Sequence, residues 1–179
     1  MINKSFENLQ QQLEFYKGYQ AAYWETIHPF LHFQRYRRNH LISTAQFDML
    51  FIHSGILCLH DGSNDDIVHF MSSPELVPDT YLDGNYYYQF LEDATLLYLP
   101  KHQLGEIGRR LPAAFSLYHD ILKGWLNGIA ARQQLLLLPK HKRKQAFKQA
   151  FPGLPGRIPN MVIANYLAMS PEYFSRTGW

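Results

Sequence analysis

The spacing of apolar residues changes at Pro100, and this change constrains the fold more than any other feature of the sequence. Between Leu31 and Pro100, apolar residues alternate with polar ones in short runs, which is the period of half-buried β-strands. After Pro100 they recur every three or four positions, which is the period of helices that bury one face. The sequence therefore predicts an α+β chain whose β region precedes a helical region.

The β region is expected to contain about eight short strands. The pattern locates six of them, at 31–37, 49–53, 56–60, 67–71, 85–91 and 95–99. Gly55 predicts a tight turn between the second and third of these, and Asp61-Gly62 is a strong hairpin signal. Two helices, at 5–17 and 19–28, come before the strands. Short strands separated by Gly and Asp turns favour a jelly roll or a small barrel.

A long helix is predicted to begin near Pro112 and to end at Pro139. Its residues at alternating steps of three and four form a heptad seam, which predicts pairing with a second helix across the axis of a homodimer. The predicted dimer interface consists of Phe115, Tyr118, Leu122, Trp125, Ile129 and Leu136. Alternatively, the helix packs only on its own β region, and a flank of Leu117, Ile121 and Leu126 could do so while the seam pairs elsewhere.

The segment 157–176 predicts two short helices joined by a tight turn. The first has an apolar face made of Ile158, Val162, Ile163 and Leu167. Ser170 is placed to cap the second helix, and Pro171 suits its first turn. Two such helices, the second with Glu and Arg on its exposed face, describe a helix-turn-helix.

Charge is distributed unevenly along the chain. Residues 1–100 contain 5 Lys and Arg against 12 Asp and Glu, whereas residues 101–179 contain 12 against 3. The overall charge of +2 therefore combines an acidic first part with a basic second part. A basic C-terminal part suits a polyanion such as DNA.

Composition excludes several classes of protein. With Cys58 as its one cysteine, a single chain cannot form a disulfide framework, a cysteine-ligated zinc finger or a cysteine-ligated iron–sulfur cluster. The first residues lack an apolar secretion core, and no apolar run reaches 18 residues. We expect a cytoplasmic protein with no membrane partner, no metal and no cofactor.

The order of β-roll, heptad helix, basic segment and helix-turn-helix resembles the cyclic AMP receptor protein/FNR (Crp/Fnr) family of bacterial transcription regulators. Three segments carry the resemblance: FIHSGILCL at 51–59, LEDATLLYLP at 91–100 and IPNMVIANYLAMSPEYFSR at 158–176. The last is similar to the helix-turn-helix of a branch common in Bacteroidetes. The resemblance implies a jelly-roll sensory domain with N-terminal helices at 1–110, a linking and dimerisation helix at 111–139, and a shortened DNA-binding region at 140–179.

The resemblance also implies a DNA-binding surface. In that family, a Glu and an Arg of the recognition helix reach base edges, and the matching positions here are Glu172 and Arg176. Tyr173 is expected to touch phosphate, and Ser170 to place the first amides of its helix near one. The remaining predicted contacts to the DNA backbone are Lys140, Lys142, Arg143, Lys144 and Arg157.

The sequence departs from the family at the expected nucleotide pocket. Residues 72–88 contain no Lys or Arg, and Glu75, Asp79 and Asp83 would repel a phosphate. We therefore expect an unknown small-molecule effector rather than cyclic AMP. The alternative is a β-roll that binds a ligand or a protein and no longer reads DNA, because the second helix would span barely two turns.

A metal-dependent enzyme on a similar β-roll would use inward-facing histidines, and the candidates are His53, His60 and His69. No His-x-His pair followed by Glu accompanies them. We therefore do not expect an enzyme.

Overall fold

The computed structural model describes residues 2–78 and 85–177, and in it the β region is a jelly roll. Its strands are β1 (His32–Tyr36), β2 (Leu41–Ser43), β3 (Phe47–Ser54), β4 (Ile56–Asp61), β5 (Asp66–Ser72), β6 (Glu75–Pro78), β7 (Tyr86–Phe90) and β8 (Ala94–Pro100). They form two antiparallel sheets with the orders β1–β8–β3–β6 and β2–β7–β4–β5. This strand order confirms the jelly roll among the predicted alternatives.

Seven helices are found in the described residues. They are α1 (Ile2–Glu14), α2 (Ala22–Ile27), α3 (Gln103–Arg110), α4 (Ala114–Leu137), α5 (Lys140–Ala150), α6 (Asn160–Tyr166) and α7 (Pro171–Arg176). The α+β class and the order of its parts are therefore as predicted. α1 lies three residues earlier than expected. The helix α5 begins at Lys140 directly after Pro139, because proline is tolerated where a helix starts.

Turn chemistry fixes how the strands follow one another. Gly55 joins β3 to β4 with a φ of +101°. A side chain there would also lie 2.6 Å from the Ala94 Cβ atom, so the turn requires glycine. The predicted turn at Asp61-Gly62 is longer than two residues: Asp61 Oδ1 accepts a hydrogen bond from the Ser63 amide, and Asp65 takes a φ of +61°.

Three apolar clusters hold the chain together. The first fills the interior between the sheets, where alternate residues such as Leu50, Ile52, Leu57 and Leu59 meet. The second covers the outer face of the β1–β8–β3–β6 sheet with α1, α2, α3 and the start of α4. The third joins the outer face of the other sheet to α5, α6 and α7. Consequently the C-terminal helices are anchored on the β-roll itself.

Candidate nucleic-acid interface

The α6–α7 pair has the local geometry of a helix-turn-helix. Ala168 turns the chain with a φ of +50°, and the Met169 amide donates back to the Ala164 carbonyl at 2.9 Å. The Ser170 hydroxyl accepts a hydrogen bond from the Tyr173 amide at 3.2 Å, so Ser170 caps α7 as expected. Phe174, 1% exposed, anchors α7 from below. The turn and the cap thus fix the direction of α7 relative to α6.

The outer face of α7 presents the residues expected to read DNA. Glu172, Tyr173 and Arg176 are all exposed, and Tyr173 is 38% exposed. No salt bridge joins Glu172 to Arg176, although the structure describes both residues. Their charges are therefore available to a partner, and they lie on one side of the helix because they are four residues apart.

The structure divides the predicted basic residues into two groups. Lys140, the first residue of α5, and Lys142 are both exposed, so a polyanion could reach each of them. Arg143 faces inward and donates from Nε to the Leu138 carbonyl at 2.9 Å, from Nη2 to Leu136 at 2.8 Å and from Nη1 to Leu167 at 2.9 Å. These bonds join the end of α4 to the end of α6, so Arg143 holds the helices in place rather than facing DNA.

Lys144 is a second correction to the expected phosphate contacts. It is 4% exposed, and its ammonium donates to the carbonyls of Phe174 and Thr177 while lying 4.1 Å from the centre of the Phe174 ring. Burial lowers the pKa of this lysine below its usual value. Lys144 therefore stabilises the C-terminal end of α7, where carbonyl groups lack helical partners.

Arg157 is exposed but paired, and its contact with DNA stays a prediction. Its guanidinium forms a two-point salt bridge with Glu92 on the β-roll, with N–O distances of 3.0 and 2.6 Å. The hydrogen bond to Glu92 raises the pKa of Arg157. A charge predicted to contact DNA is thus paired with the β-roll while half of its side chain stays exposed. The sequence did not show this pairing because Glu92 lies 65 residues away.

The contact between the C-terminal helices and the β-roll was not predicted. Ile67 and Phe70 of β5 pack against Phe147 and Tyr166, and the Phe70 and Tyr166 ring centres are 4.7 Å apart. The Asn165 side chain accepts a hydrogen bond from the Ile67 amide at 3.0 Å. The only sequence signal was Phe70, an apolar residue in a strand whose alternation places it on the outer face.

The residues of the predicted dimer seam on α4 differ in how deeply they are buried. Trp125 is 4% exposed and packs on its own β-roll, with its ring perpendicular to that of His69 at 4.7 Å, so it cannot reach a second copy in this arrangement. Phe115 is 59% exposed. Tyr118, Leu122, Ile129 and Leu136 are partly buried. The helix packs on the roll through Leu117, Ile121 and Trp125, whereas Leu126, expected on that flank, is 55% exposed.

The candidate sites in the β-roll are only partly described. Asp79 and Asp83 lie outside the described residues. His53, His60 and His69 have separate neighbours: His53 lies near Asn8, His60 lies near Cys58 and Gln89, and His69 packs on Trp125. No group of three or more potential metal ligands occurs within 2–78 and 85–177. In those same ranges, no helix has both the length and the apolar character needed to cross a bilayer.

The comparison with known proteins finds similarity of structure but no match of sequence. No protein-family profile matches the sequence. No curated protein matches it either. Many solved structures match the chain, and these matches concern its fold.

Three of these structures illustrate the match. A protein from Eubacterium rectale, assigned as a transcriptional regulator of the Crp/Fnr family, gives a TM-score of 0.71 at 14% identity, over 89% of this chain and 82% of that one. The c-di-GMP-responsive global regulator CLP of Xanthomonas campestris gives 0.65 at 14% identity, over 88% and 89%. FixK2 of Bradyrhizobium japonicum gives 0.67 at 15% identity, over 82% of each chain.

The fold and the exposed helix-turn-helix together define a class of protein. In this class, a jelly-roll domain is joined through one long helix to a small group of C-terminal helices, here α5 to α7. The matched structures then identify that architecture. The chain has the fold of the Crp/Fnr transcription regulators, as the resemblance of its sequence segments indicated.

Proposed function

We propose that this protein is a homodimeric, DNA-binding transcription regulator of the Crp/Fnr type. The observation that carries the proposal is the Ser170-capped α7, whose outer face presents Glu172 and Arg176 without a salt bridge between them. Arg176 would donate two hydrogen bonds to guanine O6 and N7, and Glu172 would accept one from cytosine N4. A two-bond contact such as that of Arg176 discriminates among bases by about 1–3 kcal/mol.

Phosphate contacts would come from a smaller set of cations than the sequence indicated. Lys140 and Lys142 are exposed on α5, and Tyr173 has a half-exposed hydroxyl-bearing ring on α7. These groups would set the register of α7 on the duplex without reading its sequence. Arg143, Lys144 and Arg157 would act indirectly, by holding the helices that present α7.

A second copy of the chain would pair through the outer face of α4. Phe115, Leu126 and Leu137 are 59%, 55% and 85% exposed, which is unusual for large apolar side chains in an isolated domain. A homodimer on this face would present two α7 helices to successive turns of a pseudo-palindromic site. The β-roll would sense an effector other than cyclic AMP, since no Lys or Arg lies between 72 and 88.

Selection from random DNA at low salt tests the proposal. A palindromic motif should be enriched, and Arg176→Ala should weaken its binding and relax the preference at one base pair per half-site. Arg109→Ala is the control, because Arg109 is also an exposed arginine but belongs to α3, where it pairs with Glu106. The proposal fails if no motif is enriched, or if the two variants bind alike.

The second candidate is a β-roll module that binds a small molecule or a protein and does not read DNA. Two observations favour it: α7 has only six residues, and three of the predicted backbone contacts are bonded to other parts of the chain. A ligand that copurifies with the protein, combined with no enrichment in the DNA selection, would support this candidate over the first.

A further inference from the structure

A polar groove of about 460 Å³ lies at one end of the β1–β8–β3–β6 sheet, where β1 and β3 end and β8 begins. The strand β1 is an edge strand of this sheet, so the groove is open to solvent on that side. Two arginines, two hydroxyl groups and one carboxylate line it. The groove is separate from the helix-turn-helix and from the interior of the β-roll.

The register of the strands explains why this end of the sheet is polar. Phe33 and Leu97 are paired on β1 and β8, and both pack against the helices that cover the outer face. Two residues further along, the paired residues on the same face are Arg35 and Thr95, and Ser54 of β3 is the partner of Thr95 on its other side. The groove therefore begins where the apolar cover of the sheet ends.

Thr95 is the residue that points to a missing ligand. Its side chain is 8% exposed, and the surface that it retains lies in the groove. Its hydroxyl forms no hydrogen bond with any residue in the described part of the chain, and it is not one of the polar groups sealed from solvent there. Buried hydroxyls are nearly always paired, so an unpaired one that a groove reaches can donate to a ligand.

The charges beside the groove favour an anion. Residues 1–100 contain five Lys and Arg, and three of these are Arg35, Arg37 and Arg38. The carboxylate among them is Asp93, which accepts a hydrogen bond from Arg37 Nη1 at 3.3 Å and from the Arg38 amide at 2.8 Å. Three cations and one carboxylate leave a net charge of +2, which balances the charge of about −2 on a phosphate monoester.

The remaining groups of the groove suit a ligand rich in hydroxyls. Asp93 is 64% exposed, and each of its oxygens has a lone pair left after these two bonds, so it can accept from hydroxyls of the ligand. The ring of Tyr36 stacks on Phe90 in the interior, with ring centres 4.5 Å apart. The groove therefore has no aromatic face free to stack on a nucleobase.

We propose that this groove binds a small sugar phosphate. The phosphate lies between the guanidinium groups of Arg35 and Arg37 and accepts a hydrogen bond from the Thr95 hydroxyl, while the sugar donates to Asp93. A volume of about 460 Å³ corresponds to about fifteen waters at about 30 Å³ each, which admits a pentose phosphate. The proposal does not depend on DNA binding, so either can fail alone.

Isothermal titration calorimetry on the full chain, with three probes at equal ionic strength, tests the proposal. Ribose 5-phosphate carries both parts of the expected ligand, ribose lacks the phosphate, and sulfate is a dianion without a sugar. We expect ribose 5-phosphate to bind with a Kd on the order of 1 mM, as a small ligand in an open groove allows. Ribose should bind at least tenfold more weakly, and sulfate at least threefold. No binding of ribose 5-phosphate at tens of millimolar, or equal binding of either other probe, would overturn the proposal.

Paired substitutions locate the binding. Thr95→Val removes the hydroxyl and keeps the shape, so it should weaken ribose 5-phosphate about five- to tenfold, whereas Thr95→Ser should bind within about twofold of the unchanged protein. Arg35→Gln should weaken it at least fivefold. Arg110→Gln is the matched control, because both guanidinium groups lie over a phenylalanine ring, at 5.7 Å for Arg35 and 5.1 Å for Arg110. If each cleft variant binds like its paired control, the site is not this groove.

A DNA duplex of unrelated sequence at low salt separates a free sugar phosphate from the sugar phosphates of a DNA backbone. The duplex should bind Thr95→Val as it binds the unchanged protein, because the expected DNA contacts lie on α5 and α7. Equal weakening of the duplex and of ribose 5-phosphate by Thr95→Val would make the groove a DNA contact and would refute the proposal. Binding of ribose 5-phosphate without any binding of DNA would refute the regulator and support this site.

Discussion

Replacing Arg143 with alanine should destabilise the whole protein, because this side chain joins three helix ends. Its guanidinium donates to carbonyls of Leu136 and Leu138 at the end of α4 and of Leu167 after α6. These carbonyls have no further helical partners, so the guanidinium supplies bonds that the backbone cannot. Arg143→Ala removes all three bonds together.

The expected loss in the free energy of unfolding depends on the number of these hydrogen bonds and on their exposure to water. A hydrogen bond to a charged group contributes about 1.5–3 kcal/mol, but the three bonds share one half-buried side chain, and water can replace part of each. We therefore expect Arg143→Ala to lower the free energy of unfolding by roughly 2–4 kcal/mol in total. For a chain of this length, that corresponds to a fall in Tm of roughly 5–15 °C.

Thermal and urea unfolding, followed by circular dichroism, measure this effect. Lys142→Ala is the control: it removes the neighbouring exposed cation, and it should change the free energy of unfolding by less than about 0.5 kcal/mol. Arg143→Lys should recover less than half of the loss, since one ammonium cannot supply the planar fork that reaches three carbonyls. If Arg143→Ala and Lys142→Ala have the same Tm, the assigned role of Arg143 is wrong.

Three further predictions concern other buried or paired groups. Burial, and then Asp65, raise the pKa of Cys58 to about 12, so its thiol should not react with a disulfide reagent at pH 8 until the protein is denatured. The buried, protonated Cys58 thiol contributes fully to stability below the unfolded pKa of about 8.5, and this contribution is lost as the pH rises towards 12. Rapid labelling of Cys58 in the native protein would contradict the raised pKa. Tyr166→Phe should leave stability unchanged or raise it by up to about 1 kcal/mol, because the Tyr166 hydroxyl is buried without a partner, and a clear loss in urea unfolding would refute this. A double-mutant cycle of Glu92→Gln and Arg157→Ala should give a coupling of roughly 0.5–1 kcal/mol that weakens in high salt, and a coupling insensitive to salt would show that the pair is not the exposed one seen here.

Local patterns were enough to predict much of the architecture. The change of period at Pro100 separated the sheet from the helices, and the glycine at 55 marked a turn that the +101° φ angle requires. Ser170-Pro171 predicted the start of α7 correctly, because an N-cap acts within one turn of its helix. The shortest strands, β2 and β6, were not located, since three or four residues are too few to establish a period.

The candidate site was predictable in position but not in detail. The basic run at 140–144 was expected to face DNA as a unit, yet only its first residues are exposed, whereas Arg143 and Lys144 are bonded to carbonyls of the neighbouring helices. Which side is inner depends on Phe70 and Tyr166, which belong to distant parts of the chain.

The sequence by itself determined most of the strands and helices, where the helix-turn-helix begins, and which residues its last helix exposes, since periodicity and capping act within a few residues. Only the tertiary structure decided which cations are used to hold the molecule together. It also decided that Trp125 belongs to the core of its own chain. These choices depend on partners tens of residues away, such as Glu92 for Arg157, and local spacing carries no information about which distant groups will meet.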